Sequence, residues 1–426
     1  MNLIQGAIQF DGSTSGIKLA QYFNLYPDVN VYIDKTTAVQ SGKDYTRLYS
    51  ETYDVSDCCT DVKIKTVLRN NCGQLTCKLI SKDCQSKFHV GDRIRLYLDK
   101  RCWFCGFIFT TDYKSSTSMT IIAFDFLRYF KAPLTYGKNQ LIDDSTKQGL
   151  TASGIFRKIC QDLAIPFDVY TNSQIPITPQ NYTQKTAFNI LDFAITETLI
   201  NSPKNDRQYY TYFHETCFED DYKKDMSKQE VYKTSGRVIF CRRNDLTVDT
   251  LIDDSMVYDY SFKESIDQQT YNEIIVYKDQ KTYLSKKGKT LKKGKKTGTQ
   301  IKKVSKSNLS KALFGYLPYY HRAPDGYSKG QMQQIADGLL NVFNRPTHSL
   351  STSCYGIIGM RAGYLVPIAL SDIGGTSIGI SKTDKKTGET HIVPVYRTIT
   401  ECEMCIEYPL KMNLKISSGT FEEVDI

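Results

Sequence analysis

What this sequence lacks narrows its chemistry first. It holds one Trp and five His in 426 residues. His89, His214, His321, His348 and His391 are isolated from one another and no HExxH or HxxxH spacing occurs, which excludes the helical two-histidine zinc hydrolases. There is no Walker-type loop, no G-x-S-x-G elbow and no dinucleotide fingerprint, so P-loop, α/β-hydrolase and Rossmann chemistries fall away. No apolar run approaches the roughly 18 residues of a membrane-spanning helix. Tyr364 to Leu370 is the local maximum, and Pro367 breaks it. The start, MNLIQGAIQFDG, has neither a basic n-region nor a long apolar h-region, so folding in the cytoplasm is expected. Acid is missing from one stretch as well: Lys281 to Lys306 carries eleven Lys and no Asp or Glu.

That stretch accounts for the charge. The net value is +9, so the remainder carries 9 − 11 = −2 and the body is close to neutral. A nucleic-acid reading of the run rests on counterion release at phosphates, with Gly288, Gly294 and Gly298 supplying flexibility. Against it, the run lacks Arg and, Tyr283 apart, aromatics for base stacking. A solvated loop between strands is the expectation, with Lys286, Lys287, Lys289, Lys292, Lys293, Lys295, Lys296, Lys302 and Lys303 available to face a channel or a partner.

Cysteine is plentiful, at thirteen, but odd in number and scattered from Cys58 to Cys405. In a reducing compartment this predicts free thiols packed as small core residues. Two C-x-x-C pairs, Cys102/Cys105 and Cys402/Cys405, have the ligand count of a structural zinc site. Each falls within an alternating strand, where i and i+3 point to opposite faces, and neither has a Gly or Pro turn beside it. No metal, no cofactor and no catalytic residue is assigned. A carboxylate dyad distant in sequence stays open as a route to a cell-wall hydrolase.

Tyr 30 and Phe 20 make a β-rich composition, and the pattern is densest over residues 90–130. Ile94, Leu96 and Leu98 alternate with Arg93, Arg95 and Tyr97. Trp103, Cys105, Phe107 and Phe109 alternate with Phe104, Gly106 and Ile108, and Met119, Ile121 and Ala123 follow. Period 2 with aromatic and β-branched residues predicts a meander, closed by a short helix that Asp125 caps. Val62, Ile64 and Thr66, then Leu75, Cys77 and Leu79, add strands ahead of it. Helical spacing takes over at Ile155, Ile159, Cys160 and Leu163, capped by Thr151 or Ser153. It returns at Ala187, Ile190, Leu191, Ala194, Ile195 and Leu199, capped by Thr183 or Thr186. Strands resume over residues 207–260 around a polar insert at 219–233, a helix fits 331–343, and Ser349 to Ile416 reads as further strands.

Three of these features carry a resemblance: Gly91-Asp92 leading a strand, Phe104 to Phe109 with Gly106 at its centre, and Ala123-Phe124-Asp125-Phe126-Leu127-Arg128-Tyr129. Together with Tyr271-Asn272-Glu273-Ile274-Ile275-Val276-Tyr277, they resemble phage-tail baseplate hubs of the PBSX type, in the late-control-protein-D group. The resemblance implies a mainly-β α+β fold, with two tail-tube-like antiparallel β-barrel domains joined by a helical linker and carrying inserted loops. The expected division is an N-terminal arm (1–50), a first barrel (51–137), a helical linker (138–206), a second barrel (207–280 and 346–426) and an inserted Lys-rich loop with helix (281–345). Gly91, Asp92, Gly106, Asp125, Leu127, Arg128, Tyr129 and Asn272 become structural positions. The implied role is non-enzymatic: a homotrimer adapting a six-fold tail tube to a three-fold central spike in the virion. Its implied partners are the tube, spike, tape measure and baseplate wedge proteins, with DNA in the channel as a further candidate and no membrane. The alternative is the tail-associated cell-wall hydrolase.

Overall fold

The computed structural model describes residues 23–41, 44–81, 87–115, 117–202, 209–216, 236–248, 250–267, 270–282, 285–286, 289–290, 295–323, 327–373, 376–378, 380–383 and 390–417. The fold is α+β and mainly β.

The first module is one antiparallel sheet. Its strands are β1 (Val29–Ser41), β2 (Asp44–Asp54), β3 (Cys59–Val67), β4 (Gln74–Ile80), β5 (Arg93–Leu98), β6 (Arg101–Ser115) and β7 (Ser118–Phe124), in the order β3-β4-β7-β6-β5-β1-β2. Inward side chains such as Ile33, Leu75, Ile94, Leu96, Met119 and Ile121 share one core. Here the structure departs from the expected arm: β1 and β2 lie within residues 1–50 and just beyond, yet β1 runs along β5 from Val29↔Leu98 to Asp34↔Arg93. The reason is the burial of β5, whose six residues are all inside. A strand enclosed on both faces and paired along both edges needs a neighbour beyond β6, and β1 supplies it. Among the described residues β2 has no ladder on its far side.

The middle module follows. A short pair, β8 (Pro133–Tyr136) and β10 (Tyr182–Thr186), flanks helices α1 (Ala152–Asp162) and α2 (Ala187–Asn201), with β9 (Phe167–Val169) between them in sequence. Both caps are threonine: Thr151 accepts from Gly154 N–H, and Thr186 from Asn189 N–H, each at 3.2 Å. Strands β11 (Tyr210–Glu215) and β12 (Arg237–Arg242), expected in the second barrel, instead make a three-stranded sheet with β9. Period 2 explains why. Tyr210, Tyr212, Val238 and Phe240 fill the helical core, while Phe213, Ile239 and Cys241 on the opposite face fill the core of the next module. The insert at 219–233 lies outside the described residues.

Strands β13 (Ile252–Asp253) and β14 (Val257–Ser265) open the second β module, which is then interrupted. The interruption is itself folded. Strand β15 (Glu273–Thr282) is followed by the short pair β16 (Ser285–Lys286) and β17 (Lys289–Thr290), then β18 (Lys295–Lys306), helix α3 (Asn308–Phe314), β19 (Pro318–Arg322) and helix α4 (Lys329–Phe343). Part of the segment expected as a solvated loop is therefore strand: β18 pairs with β15 from Glu273↔Lys306 to Thr282↔Lys295, and β19 runs parallel to β15 on its other side. Lysine's weak strand preference is overridden by packing, since Ile274, Val276, Tyr319 and Ile301 close a core against Met332, Ile335, Ala336 and Leu339 of α4. Lys287, Lys292 and Lys293 lie outside the described residues.

The second β module is completed by β20 (Thr347–Tyr355), β21 (Leu365–Ile373), β22 (Thr376–Ile378), the pair β23 (Ile380–Thr383) and β24 (Thr390–Val393), β25 (Val395–Ile406) and β26 (Lys411–Ser417). Two ladders decide the architecture. Strands β14, β20, β26 and β25 pair in that order, and β25 then pairs with β3 from Glu401↔Val67 to Ile406↔Val62. The two β modules are thus halves of one 14-stranded sheet, with β13, β21 and β22 branching from the main path.

Candidate functional site

The residues that carried the resemblance turn out to be joints. At the start of β5, Gly91 takes φ +93°, a conformation open to glycine, and its N–H donates to Ile108 C=O at 2.7 Å. Asp92, almost wholly buried, accepts from Thr36 N–H at 3.0 Å and His89 N–H at 2.9 Å, and pairs with Lys35 at 3.3 Å. This ties the turn to β1. At Gly106 the issue is space: a Cβ would sit 2.4 Å from the Phe124 carbonyl oxygen.

Asp125 is the central joint. One carboxylate oxygen accepts from Gly73 N–H at 2.9 Å, the other from Leu127 N–H at 3.0 Å, so a single side chain links β4's lead-in to the turn of helix after β7. Burial pushes its pKa up to about 7, against the lowering effects of the Gly73 N–H, the Arg361 charge and the Leu127 N–H. His214 of β11 lies 3.9 Å away. Leu127 enters the helical core, the Arg128 guanidinium stacks over Phe109 at 5.1 Å, and Tyr129 meets Phe107 edge-on at 6.2 Å.

Gly359-Met360-Arg361-Ala362-Gly363 is a turn signal ahead of a strand. The structure makes it the third side of this junction. Arg361 donates to Glu215 at 2.7 Å and to the His214 carbonyl, while Ala362 N–H donates to Thr66 Oγ at 3.0 Å. Three modules therefore meet around Asp125, His214, Glu215 and Arg361. The crevice there, lined by Thr66, Trp103, Glu215, Arg361 and Cys402 among others, has about 30 Å³ of free space, room for a water or two. These four side chains are occupied with holding modules together.

A second buried cluster had no sequence signal. Asp34 of β1 accepts from Arg93 at 2.7 Å, from Arg95 at 2.8 and 2.7 Å, and from Thr52 at 2.6 Å. All three charged side chains are at most 1% exposed. Burial raises the carboxyl's pKa, but the Arg95 and Thr52 hydrogen bonds and the two guanidinium charges outweigh it and hold it below the usual range.

Most of the described thiols are buried, Cys58 and Cys59 being half-buried. A β-bulge between Leu96 and Tyr97 shifts the register, so Cys102 and Cys105 share a face with Tyr97 instead of pointing oppositely. Burial pushes Cys105 and Cys72 up to about 11 and raises Cys402 further, which disfavours the thiolate that nucleophiles and metal sites need. Among the described residues no group of three His, Cys, Asp or Glu stands close enough to hold a metal ion.

Asn272 serves the lysine-bearing module in the same manner as Asp125 serves the junction. Fully buried, it donates to Gly315 C=O at 2.7 Å and accepts from Leu317 N–H at 2.9 Å, fixing the connection into β19. Lys302 and Lys303 lie on β18, which pairs with β15 beyond Asn272.

A family model described as YQBQ-like matches residues 62–392, more than three quarters of the chain. The chain belongs to the YQBQ-like family. The matched span includes Gly91, Asp92, Gly106, Asp125, Arg361 and Asn272, while Asp34, Lys35, Thr36 and Thr52 lie before it. No curated protein sequence matches this YQBQ-like chain. Among solved structures it is similar to the 43 kDa tail protein of prophage MuSo2 from Shewanella oneidensis, at 12% identity and TM-score 0.51, covering 91% of this chain and 98% of that one. It is similar also to the tail protein from Neisseria meningitidis MC58, at 10% identity and TM-score 0.54, covering 91% and 96%. At such identities the likeness establishes the fold, and both proteins of that fold are tail proteins by name.

Proposed function

We propose that this YQBQ-like chain is a structural component of a phage tail or tail-like particle, the baseplate hub at the end of the tube. Three copies would form a ring in which two β modules per chain stand in for two tube subunits. One face of the ring would meet the six-fold tube and the other the three-fold spike, with the channel continuing through the middle. The observation that carries this is the β25–β3 ladder, six residue pairs long. It locks two β modules of one chain into a single sheet, as an adaptor needs if each chain is to present two units at fixed spacing. Cyclic closure of a heterologous interface then builds the ring. Tail tube, spike, tape measure and wedge proteins are the neighbours this role requires, and the virion baseplate is its location.

The role has no chemical step. The buried carboxylates at 125, 197 and 215 are each committed to hydrogen bonds or an ion pair within the fold. A zymogram on host cell walls separates this reading from a hydrolase: no clearing is expected, and a cleared band at the chain's own position contradicts it. The lysine-bearing strands are proposed to face a partner in the tail.

A further inference from the structure

The lysine-bearing module has one face covered by α4 and one whose outer strands are exposed, with Ile275 buried at its centre. Residues directly paired across strands share a face, so the ladders sort its side chains. Ile274, Val276, Ile301 and Tyr319 lie beneath α4. The other face is three rows: Val304–Ile275–Tyr320 in the middle, Lys302–Tyr277–Arg322 on one side and Lys306–Glu273–Pro318 on the other. Val304 is 45% exposed and Tyr320 57%. The acids on this face are already engaged, Glu273 by Lys311 at 3.5 Å and Asp279 by Arg322 at 3.1 Å. Counting these, four cations (Lys302, Lys306, Lys311 and Arg322) face two acids, a surplus of two. Helix α3 follows β18 directly and exposes Leu309 at 75% and Leu313 at 67%, one turn apart.

We propose that this open sheet face is a docking surface for an acidic protein segment with apolar side chains at alternate positions. The apolar row would form the contact centre and the cations a rim, the arrangement of a specific protein interface, while the surplus charge selects an acidic partner and speeds its approach. A polyanion such as DNA would use the lysines but leave Val304, Leu309 and Leu313 bare. Among the described residues β18 pairs with no strand but β15, so a strand of the partner could extend that edge, where Gln333 Nε2 of α4 donates to the Val304 carbonyl at 3.4 Å. The inference deepens the partner-facing reading of the lysine segment and does not rest on the trimeric ring. The ring is tested by particle size and this face by binding, so the two fail separately.

The test uses the full chain and a short fluorescent peptide of alternating Leu and Glu, with alternating Ser and Glu, single-stranded DNA and duplex DNA as competitors, read by anisotropy. The Leu–Glu peptide is expected to bind, and the Ser–Glu peptide about tenfold more weakly. Lys302→Glu with Lys306→Glu, and separately Val304→Ser with Tyr320→Ser, should each weaken the Leu–Glu peptide about tenfold. Because these side chains are exposed, melting temperatures should stay unchanged. The proposal is overturned if either DNA binds more tightly than the peptide and is lost with the same variants. It is equally overturned if the peptide ignores both variant pairs, or if Val304→Ser with Tyr320→Ser abolishes a self-association seen by sedimentation.

Discussion

Asp34 holds two guanidinium groups inside a β module, and removing one partner of a buried ion pair costs more than the pair contributes. Asp34→Ala leaves Arg93 and Arg95 without their shared carboxylate, and a loss of about 3–5 kcal/mol is expected in chemical denaturation. Gly106→Ala forces a methyl group to 2.4 Å from the Phe124 carbonyl oxygen, so a loss of about 1–3 kcal/mol is expected from overpacking. Asp125 and Glu197 give a pH dependence whose sign follows from their burial. Each has its folded pKa raised to about 7. Each therefore binds its proton more tightly folded than unfolded, and its contribution to stability falls as pH climbs from the ordinary carboxylate range to about 7. Asp125→Asn should flatten that part of the melting-temperature profile relative to the parent chain; an unchanged slope contradicts the assignment. The sequence offered Gly106 and Asp125 through their motif context. It gave no hint of Asp34, because a lone Asp in a polar-looking stretch and two Arg alternating with Ile and Leu read as an outward face. Only the β1–β5 register reveals that both faces of β5 are inside.

Strand and helix identity was more legible than strand partnership. Alternation located β3 to β7, β25 and β26, and cap residues located α1 and α2, since those signals are local. Which strands pair is decided by contacts distant in sequence. Thus β11 and β12 read correctly as strands but not as a bridge between two cores, and β18 read as loop because lysine hides the alternation of Ile301, Lys303 and Ser305 with Lys302 and Val304. The β25–β3 ladder joins residues more than 300 apart and had no sequence signal at all. Glu403 sits mid-ladder, opposite Lys65 on one side and Asn413 on the other. Proline there removes a backbone donor from a central strand. For Glu403→Pro, faster amide exchange confined to residues 401–406 and 62–67 and a lower melting temperature are expected. Exchange that stays at parent levels would mean the ladder does not join the modules.

At the scale of the whole molecule, three packed modules and an inserted fourth are held by buried polar joints: Asp92 at β1, Asp125 and Arg361 at the centre, and Glu197 receiving Tyr327 between α2 and the lysine-bearing module. Such joints favour a rigid part over a moving one, which suits an adaptor whose two β units must keep their spacing. The mainly-β architecture and the helical middle were foreseeable from composition and period. The fusion of the two β modules into one sheet was not, because nothing in either half's sequence repeats the other. The central claim is that each chain supplies two units to a six-part ring. Electron microscopy of the purified chain, alone and with a trimeric spike, tests it most directly: a ring of three chains showing six lobes is predicted, and a ring of six chains, or a chain that stays single under both conditions, contradicts it.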